Sequence, residues 1–356
     1  MRTRAPAIVL LSASLSACGS GDGAPGSTKQ TSSSNKTSTS TATSQSGAFS
    51  PPPLAEGYTR FEAATVTDIQ PGDDTTHCQY VMAPLDHDAD ILDVRGAQSK
   101  FGHHAVAFSY TPSATDQVGS EIKCMMGNNE FSASAGADTM DTSSDAELSG
   151  GGYLGGVSPA GGVAALPDGV AFRLKKGQGI MLNVHYINTG DTPIDGNTYM
   201  DLKLADADPS RLIAAMFLNL NLGFSIPPQS QTDSNQDCVA MSDVNIIMMS
   251  NHMHEYGIHG STQVTRADGT VEMLRDDPTW TSDMVNNPTF ARWTVDDPFV
   301  LHSGDTIRTS CTWNNTTTDT ITFPREMCIS AGFALASGDN PSAPTCFNGT
   351  WVQQGI

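Results

Sequence analysis

Nowhere in this chain does an apolar pattern at helical spacing run for twelve residues, so no amphipathic helix is available to build a core. Past Pro51-Pro52-Pro53 the sequence instead offers short runs of β-branched and aromatic residues broken by Gly, Pro, Asn and Asp. Gln79 to Leu85, Ala105 to Tyr110, Gly179 to Ile187, Leu212 to Leu222, Asn245 to Ser250, Thr262 to Thr265, Asp305 to Thr312 and Ile329 to Leu335 all read as strands. An all-β fold of antiparallel sheets packed as sandwiches follows. Asp206 and Asp208-Pro209 interrupt two apolar stretches, so a boundary is expected near Ala205 to Ser210. That divides the folded part into 57–207 and 208–356, two jelly-roll-like β-sandwich domains in tandem. The Gly-rich segment Ser149 to Gly162 reads as a long loop, and no helix follows it to make a phosphate-binding turn.

The first part of the chain has a different character. Arg2 and Arg4 precede an apolar stretch, Ala5 to Leu15, that is too short to span a bilayer, so residues 1–17 read as an export signal. Leu15-Ser16-Ala17-Cys18 resembles the bacterial lipobox, which implies cleavage before Cys18 and a lipid on its thiol. A plain secretory signal with a chance cysteine is the alternative. Residues 18–56 are rich in Ser, Thr and Gly and cannot bury enough apolar surface to offset chain entropy, so they read as a disordered tether. The expected location is the bacterial cell envelope, on the periplasmic or the outer face.

Eighteen basic against 38 acidic residues give a net charge of −20, which argues against nucleic acid and against electrostatic adhesion to anionic lipid. Of the seven cysteines, setting Cys18 aside leaves Cys78, Cys124, Cys238, Cys311, Cys328 and Cys346. An even set without a CxxC fits disulfides in an oxidising compartment better than a zinc ribbon, although the spacing alone permits about 15 pairings.

Four segments carry candidate metal chemistry. His252-Met253-His254, followed by Glu255-Tyr256-Gly257, continues a strand-like run, and in a strand side chains two apart leave the same face. Two imidazoles at that spacing can reach one ion, although an isolated HxH is as well explained by hydrogen-bonded strand histidines. Gly102-His103-His104 can point both rings one way only at a strand mouth or bulge. His185 in Leu182-Asn183-Val184-His185-Tyr186 makes a third imidazole available to that pair. In Glu326-Met327-Cys328, a bridge from Cys328 back to Cys311 would hold the Met327 thioether in place. His77, His87, His259 and His302 read as surface or supporting residues.

In this order the motifs HH, VHY, HMHxxG and CxWNN followed by EMC resemble those of the copper type II, ascorbate-dependent monooxygenases, the family of peptidylglycine alpha-hydroxylating and dopamine beta-monooxygenases. The similarity runs from about Tyr58 to the C-terminus and includes Leu212 to Met216 and Ile226-Pro227-Pro228. It implies two copper ions per chain, one held by His103, His104 and His185 and the other by His252, His254 and Met327. His252, His254 and Met327 would then carry the oxygen chemistry. Ligand chemistry agrees, since imidazoles suit copper and a thioether favours its reduced state.

The resemblance further implies hydroxylation of a C–H bond of a small molecule by O2, with ascorbate or another donor supplying electrons, and two sandwiches facing each other across a solvent-filled cleft. It implies Cys311–Cys328 and Cys238–Cys346 bridges, which leaves Cys78 with Cys124. The chain departs from the family where substrate binds. Peptide-hydroxylating members hold a carboxylate with an arginine two residues before the HxH pair, where this chain has Ser250, and Ile329 and Ala331 replace an asparagine and a tyrosine. A neutral or apolar substrate is therefore expected. A copper-sequestering lipoprotein without turnover and a β-sandwich interaction module are the competing readings.

Overall fold

The computed structural model describes residues 49–122, 152–158, 161–162, 165–323, 325–336 and 343–352. Cys18 and Cys124 lie outside them. Among the described residues the regular structure is strand, apart from one short helix, Asp283–Asn286. No helix among them is long and apolar enough to cross a membrane.

One 11-stranded sheet runs through both halves of the folded part. In the first half it contributes Thr59–Glu62, Thr198–Asp206, Ala89–Gln98 and Val170–Leu174. These share an apolar core with a six-stranded sheet whose central strands are Asp74–Met82, Gly179–Ile187 and Gly102–Tyr110. In the second half the long sheet continues through Leu212–Leu220, Ile329–Leu335 and Val244–His252, and the opposing layer is a four-stranded sheet of Ser230–Val239, Thr306–Asn315, Gly257–Thr265 and Val271–Asp277. The architecture is thus all-β and sandwich-like. Each inner face reads as near-alternating buried positions, as in Thr306–Asn315, where every second residue is buried.

The expected break at 205–210 is a short crossing that does not interrupt the sheet. Val170 and Ala171 pair in parallel with Leu212 and Ile213, stitching one half to the other. A second parallel pair, Leu218 to Leu220 with Thr345 to Phe347, makes the sheet mixed where a purely antiparallel one was expected. The crossing itself is clamped by Asp90, fully buried, whose carboxylate accepts hydrogen bonds from Arg173 Nε (2.8 Å), Arg211 Nη1 (2.7 Å) and the Asp208 amide (3.0 Å). Burying a carboxylate is tolerable only with such partners.

Apolar packing crosses the same line. Phe172 of the first half meets Tyr153 and, across the line, Phe333 of the second edge-on, while Tyr153 lies tilted against Phe333, with ring centroids 5.3 to 5.5 Å apart. Ile247 and Met248 join the same core. Burying a side chain such as Phe333 contributes about 2 kcal/mol, so the halves are bonded by core rather than by surface contact.

The segment expected as a glycine-rich loop contains a strand. Tyr153–Ser158 is buried at every position and pairs antiparallel with Gly102–Tyr110. Composition misled because the glycine serves a close approach: Gly155 has φ +136°, and a Cβ there would lie 2.3 Å from Val94 Cγ2 of the opposing sheet. A bare backbone lets the two layers close.

Candidate metal centre

The first group of imidazoles is built by register. His104 and His185 are directly opposite on adjacent strands, and the next pair is Gly102 with Tyr186, so His103 is an extra residue on its strand. That bulge relaxes the alternation that would turn neighbouring side chains to opposite faces. All three rings meet, with centroids 4.9 Å apart for His103 and His104, 4.8 Å for His103 and His185, and 4.9 Å for His104 and His185. One ring nitrogen from each lies within 4.8 Å of the others. Phe101, at φ 68°, turns the chain into the bulge. Gly102 permits it, since a Cβ there would fall 2.3 Å from Gln98 Cβ, and Gln98 Nε2 reaches the His185 carbonyl (3.2 Å).

His185 also has a partner outside the trio. Its Nε2 donates to Asp74 Oδ1 at 2.5 Å, and this hydrogen bond, assisted by the nearby imidazoles of His185 and His254, holds the Asp74 carboxyl below its usual range against the opposing effect of burial.

The second group forms where a strand runs out. Val244–His252 ends at His252, so His254 stands just past the strand rather than in it, and the two rings are 5.2 Å apart. The antiparallel register that pairs His252 with Ile329 would, carried two residues further, bring Met327 opposite His254.

Side chains hold that frayed end together. The buried Glu326 carboxylate accepts from the amides of His254 (2.9 Å), Tyr256 (2.7 Å) and Met327 (3.2 Å) and from the Trp313 indole (3.0 Å). His254 Nδ1 donates to the Arg325 carbonyl (3.0 Å), which leaves Nε2 bare, and Trp280 Nε1 donates to the His254 carbonyl (3.1 Å). Beneath, Met253, Trp280, Cys311, Trp313 and Cys328 form a small core. The Cys311–Cys328 bridge closes on it, with a sequence separation of 17.

Burial keeps His103, His104, His252 and His254 uncharged. It is the main cause holding His103 down to about 2 and His252 to about 3, with neighbouring imidazoles adding to the effect. His104 is held well below the ordinary value and His254 is lowered, in both cases chiefly by burial. Burial also pushes the Glu326 carboxyl up to about 7, against its four donors. Neutral imidazoles with free lone pairs are what a transition metal requires, so the donor set fits copper, although imidazole alone also suits zinc and nickel.

The two groups are in contact. The His103 ring lies edge-on to His254 at 5.6 Å, so the solvent-filled cleft expected between the halves is closed here. The shared sheet, the Asp90 clamp and the aromatic core account for that closure, because they fix the halves against each other.

The remaining histidines stand apart on carboxylates: His77 on Glu121, His87 on Asp86, His259 on Asp276 and His302 on Asp243. The Cys238–Cys346 bridge is formed, and Cys78 is disulfide-bonded. Asp74, Arg325, Glu326, Trp280 and Trp313 support the rings and had no assigned role in the sequence. Glu326 had a usable signal, its place beside Met327; Asp74 had none short of knowing the strand register.

No family model and no curated relative matches the chain. Among solved structures, the infectious bursal disease virus Gx strain matches at 11% identity, covering 79% of this chain and 73% of that one, with a TM-score of 0.20. PBCV-1 VP54, fitted into a reconstruction of the virophage Sputnik, matches at 6% identity over 81% and 95% of the two chains, with a TM-score of 0.26. Likeness at this level carries no argument about what the chain does.

Proposed function

We propose that this chain is a copper-dependent monooxygenase that hydroxylates a C–H bond of a small uncharged substrate, using O2 and an external reductant such as ascorbate. The single observation that supports it is convergence: five buried or half-buried imidazoles from both halves meet in one patch, with burial holding His103, His104, His252 and His254 below their ordinary pKa. Copper bound here would supply one-electron redox chemistry.

His103, His104 and His185 are the residues that would hold one ion, and His252, His254 and Met327 those that would hold the other. The Arg325 carbonyl keeps the proton of His254 on Nδ1, so that Nε2 is the ligand atom. Glu326 holds the amides of His254 and Met327 on one carboxylate and so sets the spacing between imidazole and thioether segments. Beside His252 the strand pair carries Ser250 opposite Ala331 and Ile329 opposite His252, a wall without a cation. An anionic substrate finds no bidentate clamp there, which favours a neutral or apolar one. Attachment to the cell envelope through Cys18 belongs to the same reading, and the disulfides suit an oxidising compartment.

The test is metal analysis after copper loading, then ascorbate-dependent O2 uptake by the wild type and Met327→Ala. Two ions per chain and O2 uptake that Met327→Ala abolishes are expected. Two ions with no oxygen chemistry under any substrate would make the protein a copper store, and no copper at all would leave an interaction module.

A further inference from the structure

Asp74 begins the strand Asp74–Met82 with its Cα opposite Ile187, while Thr76 faces His185. Positions two apart share a face, so Asp74 is the diagonal neighbour of His185 across the strand pair. The backbone just before it is tied twice to Asn188: the Asn188 amide donates to the Asp73 carbonyl and the Gly72 amide to the Asn188 carbonyl, each at 2.8 Å. The buried Asn188 side chain in turn donates to the Ile69 carbonyl at 2.8 Å. From this fixed point Asp74 Oδ1 meets His185 Nε2 at 2.5 Å, although the aspartate side chain keeps 60% of its exposure. Among the described residues His185 is the one member of the first imidazole group with a carboxylate partner; His103 and His104 make their Nδ1 contact (2.8 Å) with each other.

We propose that Asp74 is a positioning residue that fixes the His185 ring with its proton on Nε2 and its Nδ1 bare, so that Nδ1 is the atom His185 offers to a metal. Which nitrogen of a histidine meets a metal is set by the hydrogen bond the other makes, and a carboxylate on that other nitrogen both orients the ring and strengthens it as a donor. The inference rests on the copper reading for its metal and on the hydrogen bond alone for its tautomer. It makes the two groups complementary, with His185 set by a side chain on the neighbouring strand and His254 by a main-chain carbonyl.

The experiment compares wild type, Asp74→Asn and Asp74→Ala as full chains. Imidazole nitrogen chemical shifts of the metal-free proteins read the His185 tautomer, and chelator competition with the EPR spectrum of Cu(II) reads each site. The expected result is an Nε2-protonated His185 in wild type and in Asp74→Asn, whose amide oxygen still accepts that proton, and a mixed tautomer in Asp74→Ala. Affinity of the three-imidazole site should fall about 10- to 100-fold in Asp74→Ala, with most of it retained in Asp74→Asn and the second site unmoved. An unchanged tautomer and affinity in Asp74→Ala overturns the proposal, as does an equal loss at both sites. A wild type that takes up no copper, while its tautomer still depends on Asp74, overturns the copper reading and upholds the positioning role.

Discussion

The two imidazole groups solve the same geometric problem by opposite means. His103, His104 and His185 sit within paired strands, and one bulge is enough to bring their rings together. His252 and His254 straddle the end of a strand, where the ladder no longer defines where a side chain points. Glu326, the Arg325 carbonyl, Trp280 and the Cys311–Cys328 bridge do that work instead. The difference teaches that strand register brings side chains together through the ladder itself and leaves only their ring orientation to neighbours, whereas a frayed end needs cross-links of its own.

The strongest way to break the comparison is to remove the cross-link. Replacing Cys311 and Cys328 together by alanine should cost about 3 kcal/mol of unfolding free energy, measured by urea denaturation, by the loop-entropy account of disulfides. Metal affinity should fall at the His252/His254 group and hold at the other, measured by chelator competition. A loss shared equally would erase the distinction.

Gly102→Ala attacks the other group. The new methyl must displace Gln98 or flatten the bulge, which should cost about 2 kcal/mol by overpacking. The paired imidazoles of His103 and His104 should then bind metal weakly while the second group is spared.

Acid separates the groups more gently. Unfolded histidines protonate near 6.5, whereas folded His103 and His252 resist until about 2 and about 3. The unfolded chain therefore binds more protons, and metal-free stability should fall as pH drops below 6.5. Glu326 acts the other way: its folded value of about 7 lies above the ordinary 4.5, so it contributes stability below 4.5 that is lost as pH rises through 7. Glu326→Gln removes this opposition, and urea midpoints at about pH 7.5 and about pH 5 should show a steeper acid loss than in wild type. A parallel pair of profiles would mean that Glu326 does not titrate in this range.

The smallest effect is a control outside both groups. Asn219 is fully buried in Leu212–Leu220, and neither amide atom has a hydrogen-bond partner. Asn219→Leu should raise stability by about 1 kcal/mol without moving either group's metal affinity.

Much of this was legible in the chain itself. The central strands at 179–187 and 329–335 stand where apolar runs ended by turn residues put them, and the one from Leu212 stops at Leu220, two residues short of the expected end. Their side chains are buried on at least one face, and that need is written in residue type. Tyr153–Ser158 was not legible, because Gly155 answers to Val94 across the core rather than to its neighbours. The closed contact between His103 and His254 was hidden for the same reason, since it depends on Asp90 meeting Arg211 and on Phe172 meeting Phe333.

The order of residues by itself determined the all-β class, the histidine motifs and the cysteines available for bridging, because strand propensity and side-chain chemistry are local properties. Only the tertiary structure decided that the two halves share one sheet, that Asp74 and Glu326 steady the rings, and that the two imidazole groups touch. Those depend on register and on contacts between residues far apart in sequence, which no local pattern encodes.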